Sequence, residues 1–519
     1  MKDRLGISIV WIVILVLLVC TRLPLRAVYF SIDNVNLALA IEKFDPTTHQ
    51  PQPPGYPLFV LLSRMVIYFL HTAGRTFFAI SILASALSLW VAFHLGRRMF
   101  SPWAGVAGML LLLVNPVMWH ASIEGPLRPN LALFSLLTAY CCWRCWNGEK
   151  RFAFWGAVAL GVGGGFRPDL IAFLFPLWLI SSCVGTRSWR TVVSAAAVLA
   201  AIVASWTSAI IIAMGGFHTF RSVMFNYAGD WSHFSSARPG SSVMDWVQQK
   251  NRLFIWNALG VATWIWAVPI SFLNRDRQRL RSPHILFFTI WIVPGVLLQA
   301  VTHFDNPGHT LFSVSALCII GGYVISLVPA RELILASVVI LNVLVFFDNF
   351  PVSPGGKALN VIAAGTYEST LGWVKNMDEI TKETLEEINA FTPADRPSTI
   401  ITTESYQDRW FMNWRIGRYY LPNRDIWGLD NGAQGRRFGH IRRTTVLGYR
   451  DSPPFKIPVF RESRILFILE PNGRILRELA GSVKLSGARY VSYVDVARDS
   501  PSFTVDGFEI VPSDSVGIK

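Results

Sequence analysis

The sequence predicts a polytopic α-helical membrane protein with a C-terminal soluble α/β or α+β domain. Of 519 residues, 52% are hydrophobic and 15% charged, and mean hydropathy is +0.40, too little polar surface to cover the apolar mass of a soluble globule. Apolar runs of membrane-spanning length alternate with short basic clusters as far as Phe350, and beyond it the chain turns to a charged helical segment followed by short strand-like runs.

The net charge of +14 falls in those short clusters between apolar runs, the distribution of membrane orientation signals, so nucleic-acid binding is not expected. The six cysteines lie in apolar runs and imply no disulfide framework. Cys142 and Cys145 form a CxxC without a second ligand pair, so they read as small hydrophobes.

At the N-terminus, Lys2 and Arg4 precede the apolar run Leu5 to Cys20 with no A-x-A site after it, which predicts an uncleaved helix entering from the cytoplasm. Valine before Cys20 makes a poor lipoprotein signal. The next run, Pro57 to His71, is short for a span. If it stays on one side, Arg97-Arg98, Glu149-Lys150-Arg151, Arg187 with Arg190, Asn274 to Arg281 and Arg331 all fall in the cytoplasm. If it crosses, all of them face outward, against the positive-inside rule, so it is read as a juxtamembrane or re-entrant helix.

This choice gives about eleven spans. They are Leu5–Leu25, Thr76–Gly96, Trp103–Ala121, Leu131–Trp146, Phe152–Phe166, Leu170–Gly185, Thr191–Gly215, Leu253–Leu273, Ile285–Val301, Leu311–Val328 and Leu333–Phe347. The expected domains are 1–350, a transmembrane domain with a first outer loop at 26–75, and 351–519, a soluble extracytoplasmic domain. In the latter, Ser369 to Phe391 has helical periodicity, and STIITTE, TTVLGY, RILFILE, YVSYVDV and FTVDGFEIV read as strands. The expected location is the inner (cytoplasmic) membrane, with the N-terminus cytoplasmic and the C-terminal domain extracytoplasmic.

With that orientation, polar residues lacking a topological reason gather outside. They lie in Phe30–Asp45, the proline loop Phe44–Phe59, Asn115–Asn130, Gly165–Leu170, Phe217–Arg252 and Thr302–Thr310. Ionisable residues at a membrane rim are costly unless they pair or line a polar cavity, so several at one level point to a binding site. Each has a plainer alternative. Asp33 opens an amphipathic stretch that lies flat on the membrane surface or is capped by its carboxylate. Glu124 and Arg128 pair on a helix end, and Arg167 and Asp169 pair across Pro168 in a solvated turn. His303, Asp305 and His309 fit no strong metal motif and read as a polar loop or phosphate contact. Tyr406–Pro422 mixes aromatics with arginines, either to stack sugars or as an ordinary amphipathic element.

The combination of Asp33 after the first helix, HQPQPPGYPLFVLLSRM, NPVMWHASIE, GFRPDL and NPGH resembles the GT-C superfamily of polyprenyl-phosphate-sugar-dependent glycosyltransferases. Within it, the chain resembles bacterial relatives of the protein O-mannosyltransferase and aminoarabinose transferase group that carry a PPGYPL signature. The resemblance covers Met1 to Phe350. It implies an outward-facing transferase that moves a sugar from a polyprenyl-phosphate carrier to a lipid, glycan or protein acceptor, with Asp33 matching the family's first-loop carboxylate. Where that family often has a second acid the chain has Asn34, and where it often has a histidine before the two prolines it has Gln52.

The chemistry suits these residue types. Displacing a lipid phosphate from an anomeric carbon needs a carboxylate for the incoming hydroxyl, here Asp33, and donors for the leaving phosphate, here Arg128, Arg167 or His309. Arginine offers phosphate two parallel hydrogen bonds. Glu124, Asp169, His303, His49, Gln52 and Tyr56 are the further substrate-contact candidates. A single displacement inverts the anomeric centre, and neither a metal nor another cofactor is expected. The competing class is a lipid or solute transporter with an extracytoplasmic binding domain. Against it stand the lack of an internal repeat and of ion-coupling charges deep in the spans.

Overall fold

The computed structural model describes residues 2–234, 243–272, 282–301, 306–347, 365–403, 412–432 and 435–514. The chain forms two compact units that do not follow a linear division at 350. One is Met1–Ala27 with Pro53–Val374, and the other is Val28–Gln52 with Lys375–Lys519.

Helices are labelled in chain order. They begin with α1 (Lys2–Arg22), α2 (Ile32–Glu42), α3 (Pro57–Leu70), α4 (Ala73–Met99), α5 (Pro102–Val114) and α6 (Pro116–Glu124). They continue with α7 (Leu127–Trp146), α8 (Phe152–Phe166), α9 (Asp169–Thr186), α10 (Trp189–Ala213), α11 (Phe217–Phe234), α12 (Val243–Ala258) and α13 (Ala267–Ser271). The last of the helical unit are α14 (Ser282–Val301), α15 (Leu311–Ser326) and α16 (Arg331–Phe347).

Among the described residues, five helical stretches are long and apolar enough to cross a membrane: α4, α9, α10, α14 and Pro307–Ser326. The pair α5–α6, bent by 53°, makes a sixth if it is one span. The other expected spans are divided differently. α8 has only 15 residues, and α7, although 20 residues long, carries Arg128, Asn130 and Arg144. The expected span Leu253–Leu273 is not one helix: α12 ends at Ala258, turns follow, and α13 begins at Ala267. Pro269 sits in the first turn of α13, where its missing N–H leaves no bond unmade. α3, with 14 residues, reaches about 21 Å, short of a hydrocarbon core of about 30 Å.

Tight helix contacts come from glycine. A Cβ on Gly185 would lie 1.8 Å from the Cys145 carbonyl oxygen, so α7 and α9 meet backbone to backbone. The clusters around Arg98, Arg144 and Glu149 meet at one end of the helical unit: Arg144 pairs with Glu149, and Arg98 Nη2 lies 3.7 Å from the same carboxylate. Arg331 sits over the Trp103 ring, 4.5 Å from its centroid, at the start of α5. Of the basic clusters that charge counting placed together, Arg97-Arg98 and Glu149-Lys150-Arg151 are therefore neighbours in space. Asn274–Arg281 lies outside the described residues.

The second unit is built on a seven-stranded mixed sheet, order β4-β3-β2-β1-β6-β8-β7, beside a three-stranded sheet, β5-β10-β9. The strands are β1 (Ser398–Thr403), β2 (Asp425–Gly432), β3 (Gly435–Arg442), β4 (Thr445–Arg450), β5 (Lys456–Phe460) and β6 (Ser463–Ile468). They end with β7 (Ser486–Gly487), β8 (Val491–Val496), β9 (Phe503–Val505) and β10 (Phe508–Ser513). β1 is parallel to both neighbours, β2 and β6, and is buried along nearly its whole length, as a central parallel strand must be. Asp506 and Gly507, both at positive φ (46° and 80°), make the two-residue turn between β9 and β10. Around the sheet lie α17 (Leu371–Phe391, from Lys375 onward), α18 (Trp414–Tyr420) and α19 (Arg474–Ser482).

α2 belongs to this unit, which overturns its expected place flat on a membrane surface. Val35 and Leu39 pack with Ile388, Ile400, Met412, Ile416 and Ile426 in one apolar cluster. An amphipathic pattern marks one buried face whether lipid or protein covers it, and here strand and helix side chains do.

Candidate active site

In the sheet-bearing unit, α2 starts at Ile32 with Ser31 at the N-cap position, so Asp33 stands in the first turn rather than at the cap. A carboxylate there is favoured by the helix dipole. Gln52 donates from Nε2 to Asp33 Oδ1 at 2.8 Å, and Gln52 is itself buried. The proline loop is shaped by side-chain caps. Asp45 accepts from Thr47 N at 3.2 Å at the head of a 3₁₀ turn, Pro46–Thr48, and Gln50 N returns to the Asp45 carbonyl at 3.0 Å. The peptide bonds Gln50–Pro51 and Pro53–Pro54 are cis.

The fully buried Arg418 of α18 fixes the loop by donating to the carbonyls of Thr48 and His49, at 3.2 and 3.3 Å. His49 is in the left-handed region (φ 56°), with its Nδ1 buried. Burial first, and then the guanidinium groups of Arg415, Arg418 and Arg437, hold its imidazole well below the usual 6.5. Of the arginine-rich segment Tyr406–Pro422, residues 414–420 form the helix α18, with Arg415 and Arg418 over the Trp414 ring. Residues 406–411 lie outside the described residues.

In the helical unit, four candidates converge on one end. α7 and α8 form a hairpin with Phe134 and Phe166 rings 4.8 Å apart. Arg128, near the start of α7, and Arg167, just past the end of α8, therefore share the open end, opposite the Arg144–Glu149 pair. α3 reaches the same end: the Phe59 ring lies 6.3 Å from Phe166, and Leu58 occupies the space a Cβ on Gly165 would need. That places Tyr56, the buried N-cap residue of α3, at this end too.

The fourth candidate is His309, buried in the turn Pro307–Thr310. Asn306 caps this turn by accepting from Gly308 N at 2.9 Å, and Gln299 donates to the His309 carbonyl at 2.9 Å. A Cβ on Gly308 would fall 2.6 Å from the Arg128 Cβ and Cγ, so the glycine lets the turn lie directly on the arginine stem. His303 and Asp305 lie outside the described residues.

Two of the plainer alternatives change. Glu124 ends α6 and Arg128 belongs to α7, so they are not on one helix. Arg167 does pair with Asp169, through Nε to both oxygens at 3.0 and 2.9 Å, with the guanidinium buried and the Asp169 carboxylate still partly exposed.

Residues 51–212, from inside the proline loop through α10, match the sequence family described as dolichyl-phosphate-mannose-protein mannosyltransferase. Among solved structures, the chain is similar to ArnT from Cupriavidus metallidurans, both bound to undecaprenyl phosphate and in the apo state. The TM-score is 0.58 in each case, at 13% and 14% sequence identity, over 95% of this chain and 98% of that one. The chain has a GT-C fold. The oligosaccharyltransferase of Archaeoglobus fulgidus in the apo form gives a TM-score of 0.40 at 13% identity, over 79% of this chain and 63% of that one. No curated protein matches the sequence.

Within this GT-C fold, sequence reasoning passed over His120. It lies in the quoted NPVMWHASIE, yet nothing in the linear pattern separates it from a core histidine. α6, which carries His120, packs against α7 and the Pro307–Thr310 turn, the elements that carry Arg128 and His309.

Proposed function

We propose that this protein is an integral membrane glycosyltransferase that moves a sugar from a polyprenyl-phosphate carrier to a lipid, glycan or protein acceptor on the outer face of the cytoplasmic membrane. The observation that carries the reading is the gathering of Arg128, Arg167 and His309 at one end of the helical unit. Buried guanidinium groups among apolar helices are costly, and a phosphate carried on a hydrocarbon chain is an anion that reaches such a place. The GT-C fold supports the same reading, as does the undecaprenyl phosphate bound to ArnT.

In the proposed reaction, an acceptor hydroxyl attacks the anomeric carbon as the bond to the carrier phosphate breaks. Asp33 orients that hydroxyl and takes its proton, held in place by Gln52. Arg128 and Arg167 stabilise the charge left on the phosphate, which needs no protonation to depart. A single displacement inverts the anomeric configuration, and guanidinium groups do the neutralising that a divalent metal does elsewhere. His49, whose backbone and ring are bound up with Arg418, has a structural part in this scheme.

The test is to incubate the purified chain with radiolabelled polyprenyl-phosphate sugars and follow transfer or slow hydrolysis. The parent should consume at least one carrier sugar, and Asp33→Ala and Arg167→Ala should not. No consumption of any carrier sugar, or variants that match the parent, would count against the proposal.

A further inference from the structure

α6 holds an imidazole that its packing does not explain. His120 is 0% exposed, and among the described residues neither ring nitrogen has a hydrogen-bond partner. Of its neighbours on the helix, Trp119 also has a buried ring nitrogen without a hydrogen-bond partner among the described residues, but its ring is held between Phe346 and the Arg22 guanidinium. Val117, Met118 and Ala121 join the main apolar core, Trp119 stacks on Phe346 at 4.6 Å, and Ser122 donates to the Trp119 carbonyl at 2.7 Å. Asn115 caps the helix by accepting from Val117 N at 3.0 Å. α6 packs against α7, whose first turn carries the buried Arg128.

A buried imidazole without a carboxylate partner is neutral, so it carries one N–H donor and one acceptor nitrogen. Burying both unpaired costs free energy that an apolar side chain of the same size avoids. A phosphate satisfies only the donor, whereas a sugar hydroxyl beside a phosphate satisfies both.

We infer that His120 binds the glycosyl-phosphate head of the lipid-linked donor, one ring nitrogen donating to a phosphate oxygen and the other accepting from a hydroxyl of the transferred sugar. This rests on the transferase reading above. It makes His120 the residue that distinguishes a sugar-loaded carrier from a spent one.

The experiment measures binding of bare polyprenyl phosphate and of a polyprenyl-phosphate sugar to the full chain in nanodiscs, with inorganic phosphate as competitor. The proteins are the parent, His120→Phe and His120→Gln, each with its thermal unfolding midpoint. In His120→Phe, affinity for the sugar-loaded carrier should fall about a hundredfold and for the bare carrier about tenfold. His120→Gln, which keeps a donor and an acceptor, should come within about fivefold of the parent. The midpoint of His120→Phe should be no lower than the parent's, since an unpaired buried polar group is removed.

Parent-like binding in His120→Phe overturns the inference, as does an equal loss for both carriers. A loss of binding that follows a lowered midpoint in both variants also overturns it, by assigning His120 a structural role. If the parent binds these lipids but transfers nothing, the transferase reading fails while the binding comparison still decides the role of His120. A parent that binds neither carrier overturns both.

Discussion

Gln52 Nε2 donates to Asp33 Oδ1 at 2.8 Å, joining the proline loop to the first turn of α2. The bond fixes one oxygen of a carboxyl group that is only partly buried. If Asp33 handles the acceptor hydroxyl, Asp33→Asn should lower turnover by about a hundredfold or more. Gln52→Leu keeps the bulk but removes the donor, and should lower kcat by about tenfold with little change in KM for the carrier. Steady-state transfer kinetics check both; a Gln52→Leu variant with unchanged kcat would remove the orienting role.

Gly308 offers a second handle. Adding a methyl group at this position forces a 2.6 Å approach to the Arg128 stem, and overpacking of this kind costs about 1–3 kcal/mol. Gly308→Ala should therefore displace the guanidinium, raise KM for the lipid carrier and lower the unfolding midpoint. A variant with parental KM would show that Arg128 does not need that stem position.

Arg167 Nε donates to both Asp169 oxygens in a bifurcated contact, with Asp169 35% exposed at its side chain. Arg167→Lys keeps the charge and loses this geometry, so carrier affinity should fall about tenfold although the charge is conserved. Asp169→Asn should cost about 1 kcal/mol of stability, the modest value reflecting solvent screening of a partly exposed pair. Carrier binding and chemical denaturation on the same preparations check the pair.

His49 makes stability depend on pH in a defined direction. In the unfolded chain its ring takes a proton as pH falls through 6.5, whereas in the folded chain burial and three arginines hold the ring neutral well below that value. Its contribution is therefore complete above 6.5 and lost progressively as pH drops below it, by at most about 1.4 kcal/mol per pH unit, the ceiling for one proton. Asparagine accepts the left-handed backbone of position 49, so His49→Asn should fold and show a flatter midpoint-against-pH profile between 7 and 5. Parallel profiles for parent and variant would assign the pH response to other groups.

The sequence by itself determined the class of protein, because apolar mass and charge clustering depend on composition and order alone. It also marked Asp33, Arg128, Arg167 and His309, because an ionisable group at the edge of an apolar run is visible without coordinates. Strands β1, β4, β6, β8 and the β9–β10 pair were legible from alternation and turn residues. β2, β3, β5 and β7 were not: Gly428, Gly439 and the arginines of GRRFGHIR blur the alternation in β2 and β3, Pro458 interrupts β5, and β7 is only two residues long.

Tertiary structure decided what lies beside what. A hydrophobic stripe does not name its partner, so only the fold shows that α2 packs on strands and helices of the C-terminal unit rather than on lipid. Arg128, Arg167 and His309 come from segments far apart in the chain, and they share one end because glycines let α7, α8 and the Pro307–Thr310 turn approach closely. His120 became legible last, since an unsatisfied buried imidazole is a property of its surroundings and not of its place in the sequence.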